Sequence, residues 1–192
     1  MPESPPKRLS PSARKEEILQ AALNLLAAGG LKGFSLEAVA RAAGVALSLP
    51  RHYFGGTDEL LKAATEHILR DVENVFRSGK GGVYDANSFD AYLQILAGAP
   101  WVHEAWMRAG ELHSGLDAIV RMARRRMTES MYGRPWNALT AAERIDGRGR
   151  IGYIEAVVAE WLKQGMKNRV LVVAALVRAY KVTARRDRRS AA

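Results

Sequence analysis

SLEAVARAAGVALSLPRHYF, residues 35–54, decides how this chain is read. Ser35 is a helix cap, and Leu36, Val39 and Ala40 recur at helical spacing behind it. Gly44 supplies a turn where a left-handed backbone would clash for other residues. Ala40 and Ala43 are small enough for two helices to cross closely, and Val45 plugs the angle between them. The segment after the turn holds Pro50, which lacks an N–H and biases Leu49 away from helical angles. The second helix is therefore predicted to start late, near Ser48 to Pro50, or to open with a tight 3₁₀ turn. It carries Ser48, Arg51 and His52.

Outward from this stretch the pattern stays helical. Ser10 and Pro11 start a first helix, with Ile18, Ala22, Leu25 and Leu26 on one face, and Gly29-Gly30 ends it. Residues 1–10, with three prolines and Lys7 and Arg8, read as a loose arm. Gly55-Gly56 precedes a long helix opening at Thr57 or Asp58, with Leu61, Ala64, Ile68, Val72 and Val75 as its buried stripe. Residues 79–88 read as a loop and a domain joint. Helices are expected near 88–98, 101–110 and 115–131, and residues 132–139 read as a loop. Thr140 and Glu143 have capping-box spacing for a helix to about Lys163. Gly165 ends that helix, and Asn168 opens a last one to about Ala184, followed by a basic tail over 185–192. No strand alternation and no repeat is found. The fold class is all-α, about nine helices. Its organisation is a flexible arm over 1–10, a helix-turn-helix unit over 11–56 and a helical domain over 57–184.

Composition limits the alternatives. The 192 residues are 48% hydrophobic and 26% charged, which suits a packed core rather than a disordered chain. There is no cysteine, so disulfides, thiolate metal sites and cysteine nucleophiles are excluded. The N-terminus has no secretion-signal core, and the longest apolar run, Val170 to Val177, is too short to span a bilayer. Cytoplasmic residence with no membrane partner is the expectation. The formal net charge of +9 is the footprint of a polyanion partner, or of an anionic membrane surface. No phosphate loop, nucleophile elbow, metal motif or acid–base pair is present, so no enzyme activity, cofactor or metal is expected. His103 and His113, with Glu104 and Glu111, match no strong ligand spacing.

A short helix, a glycine-centred turn and a second short helix braced by a longer first one form a helix-turn-helix. The second helix stands proud of the surface, where its side chains can enter a DNA major groove. Arg51 is the leading contact, to a guanine or a phosphate. His52 and the Tyr53 hydroxyl can reach the DNA backbone, whereas Phe54 reads as core. Ser35 can offer its hydroxyl to a phosphate as well as capping.

Residues 12 to 65, with the AAGV turn, the Tyr53-Phe54 pair and the acidic-Leu-Leu start of the long helix, resemble the N-terminal domain of the tetracycline-repressor (TetR-type) transcription regulators. The chain departs from that pattern at Ala46, where the family usually has Ser. It departs again at Pro50-Arg51, in place of an aliphatic residue and Tyr, and at Thr57, in place of Lys. The resemblance implies a ligand-responsive homodimer, a repressor on a pseudopalindromic double-stranded DNA operator. Ser35, Ala46, Leu47, Ser48, Arg51, His52, Tyr53 and Thr57 then form its DNA surface.

In the C-terminal part, Tyr92, Trp101, His103, Trp106, Met107 and Tyr153 are the candidates to line a pocket for an unknown small-molecule effector. For each aromatic, ordinary core packing is the rival reading. The stripes Ile151, Ile154, Val158, Trp161, Leu162 and Val173, Leu176, Val177, Tyr180 are the candidate dimer interface, their rival being the subunit's own core. RMARRRM, residues 121–127, reads as a solvated arginine face. A basic helical protein adhering to anionic membranes is the alternative function.

Overall fold

Ser10 Oγ accepts the Ala13 N–H at 3.2 Å, and Pro11 follows in the first turn, so helix α1 begins where the cap and the proline predict (Pro11–Gly29). Gly30, at φ 65°, returns its N–H to the Leu26 carbonyl and ends it. In the same way Ser35 caps α2 (Leu36–Ala42) through the Ala38 N–H at 3.1 Å. Gly44 turns at φ 64°, and α3 (Ser48–Phe54) follows. The helix α4 (Thr57–Ser78) comes next. The computed structural model describes residues 10–78, 84–112 and 114–190. The arm over 1–9, the first part of the expected joint at 79–83 and residues 191–192 lie outside the described residues.

The chain divides into two compact units, one ending at Thr65 and one starting at Glu66. In the first, α1, α2 and α3 pack against one another. Ile18, Ala22 and Leu26, spaced four apart, are buried with Leu36, Val39, Ala40 and Pro50 and with Leu60, Leu61 and Ala64 of α4. Removing such side chains from water is the main favourable term, roughly 1.5–3 kcal/mol for each large one.

The second unit holds α5 (Ala86–Gly98), α6 (Trp101–Met107), α7 (Ala109–Leu112), α8 (Ser114–Tyr132), α9 (Ala141–Lys163) and α10 (Arg169–Ser190), with a 3₁₀ turn at Trp136–Ala138. No strand occurs among the described residues. The pairs α5–α10, α8–α9, α7–α8 and α9–α10 pack together. Phe76, Tyr84, Phe89, Tyr92 and Tyr180 form a ring cluster, with Phe76–Tyr84 centroids at 5.0 Å and Tyr84–Tyr180 at 4.8 Å.

Several details differ from the sequence reading. On α4, Ile68 and Val75 are half-buried, whereas Leu69 and Phe76 are buried. The spacing 61, 68, 75 repeats every seven residues, and a 3.6-residue helix drifts about 20° per heptad away from that. The helix expected over 101–110 is two helices, parted at Arg108 (φ −103°, ψ 14°), whose guanidinium is held by Glu104 at 2.8 Å and Glu111 at 3.1 Å. The last helix runs past Ala184 to Ser190. No glycine or proline interrupts residues 169–190, and Arg and Ala favour helix. The capping box is present: Glu143 N–H donates to Thr140 Oγ1 at 3.2 Å, and Thr140 N–H to Glu143 Oε2 at 2.8 Å.

Candidate nucleic-acid interface and ligand cavity

The first unit offers one short helix to solvent. Its start follows from Pro50. Leu47 is the residue before α3 and makes no side-chain cap, because neither Ala46 nor Leu47 carries a hydroxyl. The Leu49 N–H instead bonds the Ala46 carbonyl at 2.9 Å, three residues back. This is the late start with a tight first turn that the proline predicts. Pro50 is buried and holds the helix in the core. Ala46, Leu47, Ser48, Arg51 and His52 are exposed, with Leu47 at 40%. Apolar and guanidinium surface thus lie side by side on one face. Gly55, at φ 86°, stops the helix and bonds the Arg51 carbonyl.

Tyr53, Phe54, Thr57 and Ser35 are half-buried. Lys15 Nζ lies 5.4 Å over the Phe54 ring, and His52 meets Tyr53 edge-on at 5.2 Å. Hydrogen bonds from the Glu37 backbone N–H and from Ser35, with a smaller pull from Arg51, hold the Glu37 carboxyl below the usual carboxylate range. Glu37 is therefore an anionic neighbour of Arg51 that sequence reasoning missed. It sits two residues past the cap, where an acid complements the helix dipole, and nothing in the sequence links it to α3.

The second unit encloses a cavity of about 320 Å³. Of the predicted ligand residues, Tyr92, His103 and Trp106 line it. The other three do not, for reasons of packing. Trp101 is buried in the core, Met107 is 51% exposed, and Tyr153 is 44% exposed on the outer side of α9. Burial pushes the Tyr92 hydroxyl up, and the Glu155 charge adds to this. Burial pulls His103 down against an opposing pull from Glu155, and its Nε2 finds no partner.

Glu155 is the cavity residue that sequence reasoning missed. Its side chain is 11% exposed, and Oε1 accepts from Trp106 Nε1 at 2.7 Å and from Arg124 Nε at 2.8 Å. Arg124 also lies 5.0 Å over the Trp106 ring. The signal was an acid placed among Ile151, Ile154 and Val158 on an otherwise apolar face. The arginine face over 121–127 is thus broken: Arg124 turns inward, whereas Arg121, Arg125 and Arg126 pair with Asp117, Glu129 and Glu73.

The residues of the expected dimer stripe divide between the chain's own core and half-buried positions. Ile151, Ile154, Val158, Trp161 and Leu176 are buried within their own chain, and Leu162, Val173, Val177 and Tyr180 are half-buried. The exposed apolar residues of the same helices are Ile145, Tyr153, Val170 and Leu171. Among the described residues no group of three His, Asp or Glu stands ready for a metal, and His113 lies outside them. No helix among them is long and apolar enough to cross a membrane.

Residues 18–64 match the family described as bacterial regulatory proteins, tetR family. The HTH-type transcriptional regulator BetI of Burkholderia thailandensis is 37% identical over 59 residues, and that stretch is 31% of this chain and 30% of the relative's length. The chain thus matches less than a third of the curated relatives' length. The structure of a tetR-family transcriptional regulator from Streptomyces coelicolor superposes with a TM-score of 0.76 at 22% identity, covering 90% of this chain and 80% of the other. A multidrug binding protein, EbrR, complexed with imidazole superposes with a TM-score of 0.65 at 16% identity, covering 86% and 93%. Residues 18–64 thus match the tetR family of bacterial regulatory proteins, and the all-α fold is similar to that of a solved tetR-family regulator.

Proposed function

We propose that the protein is a ligand-responsive transcription repressor that binds a two-fold DNA operator as a homodimer. The observation that carries this reading is the exposed face of α3, Ala46, Leu47, Ser48, Arg51 and His52, in the segment that matches the tetR family. In a dimer, two copies of α3 enter successive major grooves about 34–36 Å apart or a multiple of that. Arg51 contacts a guanine or a phosphate, and Ser35, Tyr53 and Thr57 flank it toward the backbone. The +9 charge supports association with DNA.

The cavity of the second unit is the effector site in this reading, with Tyr92, His103, Trp106 and Glu155 on its wall. Its volume lies at the lower end of the roughly 300–1,000 Å³ common for small-molecule pockets. An effector shifts DNA binding if it binds one arrangement of the dimer better than the other. The dimer surface proposed is the outer face of α9 and α10, where Ile145, Tyr153, Val170 and Leu171 are 74%, 44%, 78% and 67% exposed. Gly149 and Ala156 lie on the same side of α9, and Ala174 on that of α10.

The test is a mobility-shift titration of genomic fragments recovered by protection mapping. Arg51→Ala is expected to weaken binding by about tenfold or more. Arg125→Ala, on a helix remote in sequence and paired with Glu129, is expected to leave it within about twofold. Equal losses would move the DNA surface away from α3. Liposome sedimentation with no preference for specific DNA would instead favour an anionic-membrane protein.

A further inference from the structure

The cavity wall specifies the chemistry of what fills it. Four rings, Phe76, Tyr84, Tyr92 and Trp106, line it beside aliphatic residues, and such walls favour a planar ring. The charged group held deepest is Glu155, whose two oxygens are not equivalent. Oε1 is saturated by Trp106 and Arg124 at 2.7 and 2.8 Å. Oε2 has one long contact, 3.4 Å, to Arg148, whose side chain is 54% exposed. A carboxylate oxygen has room for about two donors, so Oε2 keeps acceptor capacity.

Charge balance then chooses among ligands. Arg124 neutralises Glu155, the pair being 20% and 11% exposed, and Arg148, 54% exposed and screened by water, adds a second and weaker cation at 3.4 Å. A cation entering there would face the Arg124 guanidinium as well as the carboxylate. An anion would face the carboxylate on an apolar wall, and a full charge moved from water without a partner is strongly disfavoured. The cationic groups Arg77 and Arg126 also line the cavity. Arg126 is held by Glu73 at 3.2 Å and is 57% exposed, and Arg77 is exposed, so attraction to an anionic head there is weakened by water and salt.

We infer that the effector is an uncharged, ring-bearing molecule that donates one hydrogen bond to Glu155 Oε2. The inference rests on the cavity being the effector site proposed above.

Calorimetric titration of the full-length protein at pH 7 with four matched naphthalenes tests it: 2-naphthol, 2-methoxynaphthalene, 2-naphthoate and 2-naphthylmethylamine, the last a cation at that pH. The expected result is that 2-naphthol binds tighter than each of the others by about tenfold or more, the worth of a hydrogen bond to a charged acceptor. A methoxy compound within about twofold of the naphthol, or a charged member binding as well, overturns the inference. Glu155→Gln should narrow the naphthol advantage. It removes the charge that neutralises Arg124, so the wild-type series decides if this variant does not fold. Ala123→Phe, which fills the cavity from α8, separates the two levels. If it removes binding while the ranking differs from that expected, the cavity stands and the chemistry falls. If binding survives it unchanged, or if none of the four binds, the cavity itself is overturned as the site.

Discussion

Arg51 and Gly147 show how much one residue decides. Arg51 is exposed on α3 with Glu37 as an anionic neighbour, so the proposed DNA contact would break no buried pair. Losing a bidentate contact to a base costs about 1–3 kcal/mol. Glu37→Gln, which removes the nearby negative charge, should therefore strengthen operator binding modestly, and a titration at low salt would register it. Gly147, buried in α9, serves packing. A Cβ there would lie 3.0 Å from Thr128 Oγ1 and closer still to its Cγ2. Thr128 is itself buried, with its hydroxyl bonded to the Arg124 carbonyl, so it has little room to yield. Overpacking costs about 1–3 kcal/mol, against up to about 1 kcal/mol of helix propensity gained. Gly147→Ala is expected to lower urea stability by about 1–2 kcal/mol, and Thr128→Ala should relieve most of that loss in the double variant. The glycine is visible in the sequence, but its reason lies across the α8–α9 contact, nineteen positions away.

At the scale of elements, helix starts and stops were legible because their chemistry is local. Ser10 with Pro11, Ser35, and Thr140 with Glu143 each cap the helix that they precede. Asp85, unremarked in the sequence reading, caps α5 through the Ser88 N–H at 2.7 Å. Thr140→Ala is expected to cost about 1 kcal/mol, read as a lower urea midpoint. The acid half of that box depends on pH. The Thr140 N–H, more than any other group, holds the Glu143 carboxyl below the usual carboxylate range. Its folded value is thus lower than its unfolded one. Its contribution is complete above the ordinary carboxylate range and is lost as pH falls from there through the lower folded value. The stability gap between wild type and Glu143→Gln should therefore narrow as pH falls below the ordinary carboxylate range of about 4–4.5, as urea midpoints across an acid series would show. The tight first turn of α3 was equally legible, since a missing N–H acts wherever the proline stands. The α4 stripe and the break at Arg108 were less so. The first needs the true helical phase over five turns, and the second needs the positions of two glutamates around one guanidinium.

For the whole molecule, the proposed dimer is the property most open to test. Tyr153→Glu together with Leu171→Glu should turn a dimer into a monomer by light scattering and abolish tight operator binding, with helical content unchanged. Met122→Glu, on the exposed side of α8, should leave the dimer intact. This follows from α9 being apolar on two sides, with Ile151, Ile154, Val158 and Trp161 inward and Ile145 and Tyr153 outward. The sequence shows apolar residues on α9 but not which side its neighbours cover, and packing buries Ile151, Ile154, Val158 and Trp161 within the chain. The cavity was half legible for the same reason. Tyr92, His103 and Trp106 stood out as aromatic or titratable groups in a helical domain, whereas Glu155 gained its place only when Arg124, thirty-one positions earlier, folded onto it. By itself the sequence determined the all-α class, the capped helix ends, the helix-turn-helix and the late start of α3, since each depends on backbone hydrogen bonds within a few residues. Which apolar face is core, where a carboxylate is buried and what encloses the cavity were decided by tertiary packing. Those outcomes depend on side chains far apart in the chain meeting in a dry interior, where exclusion of water sets the energy of every contact.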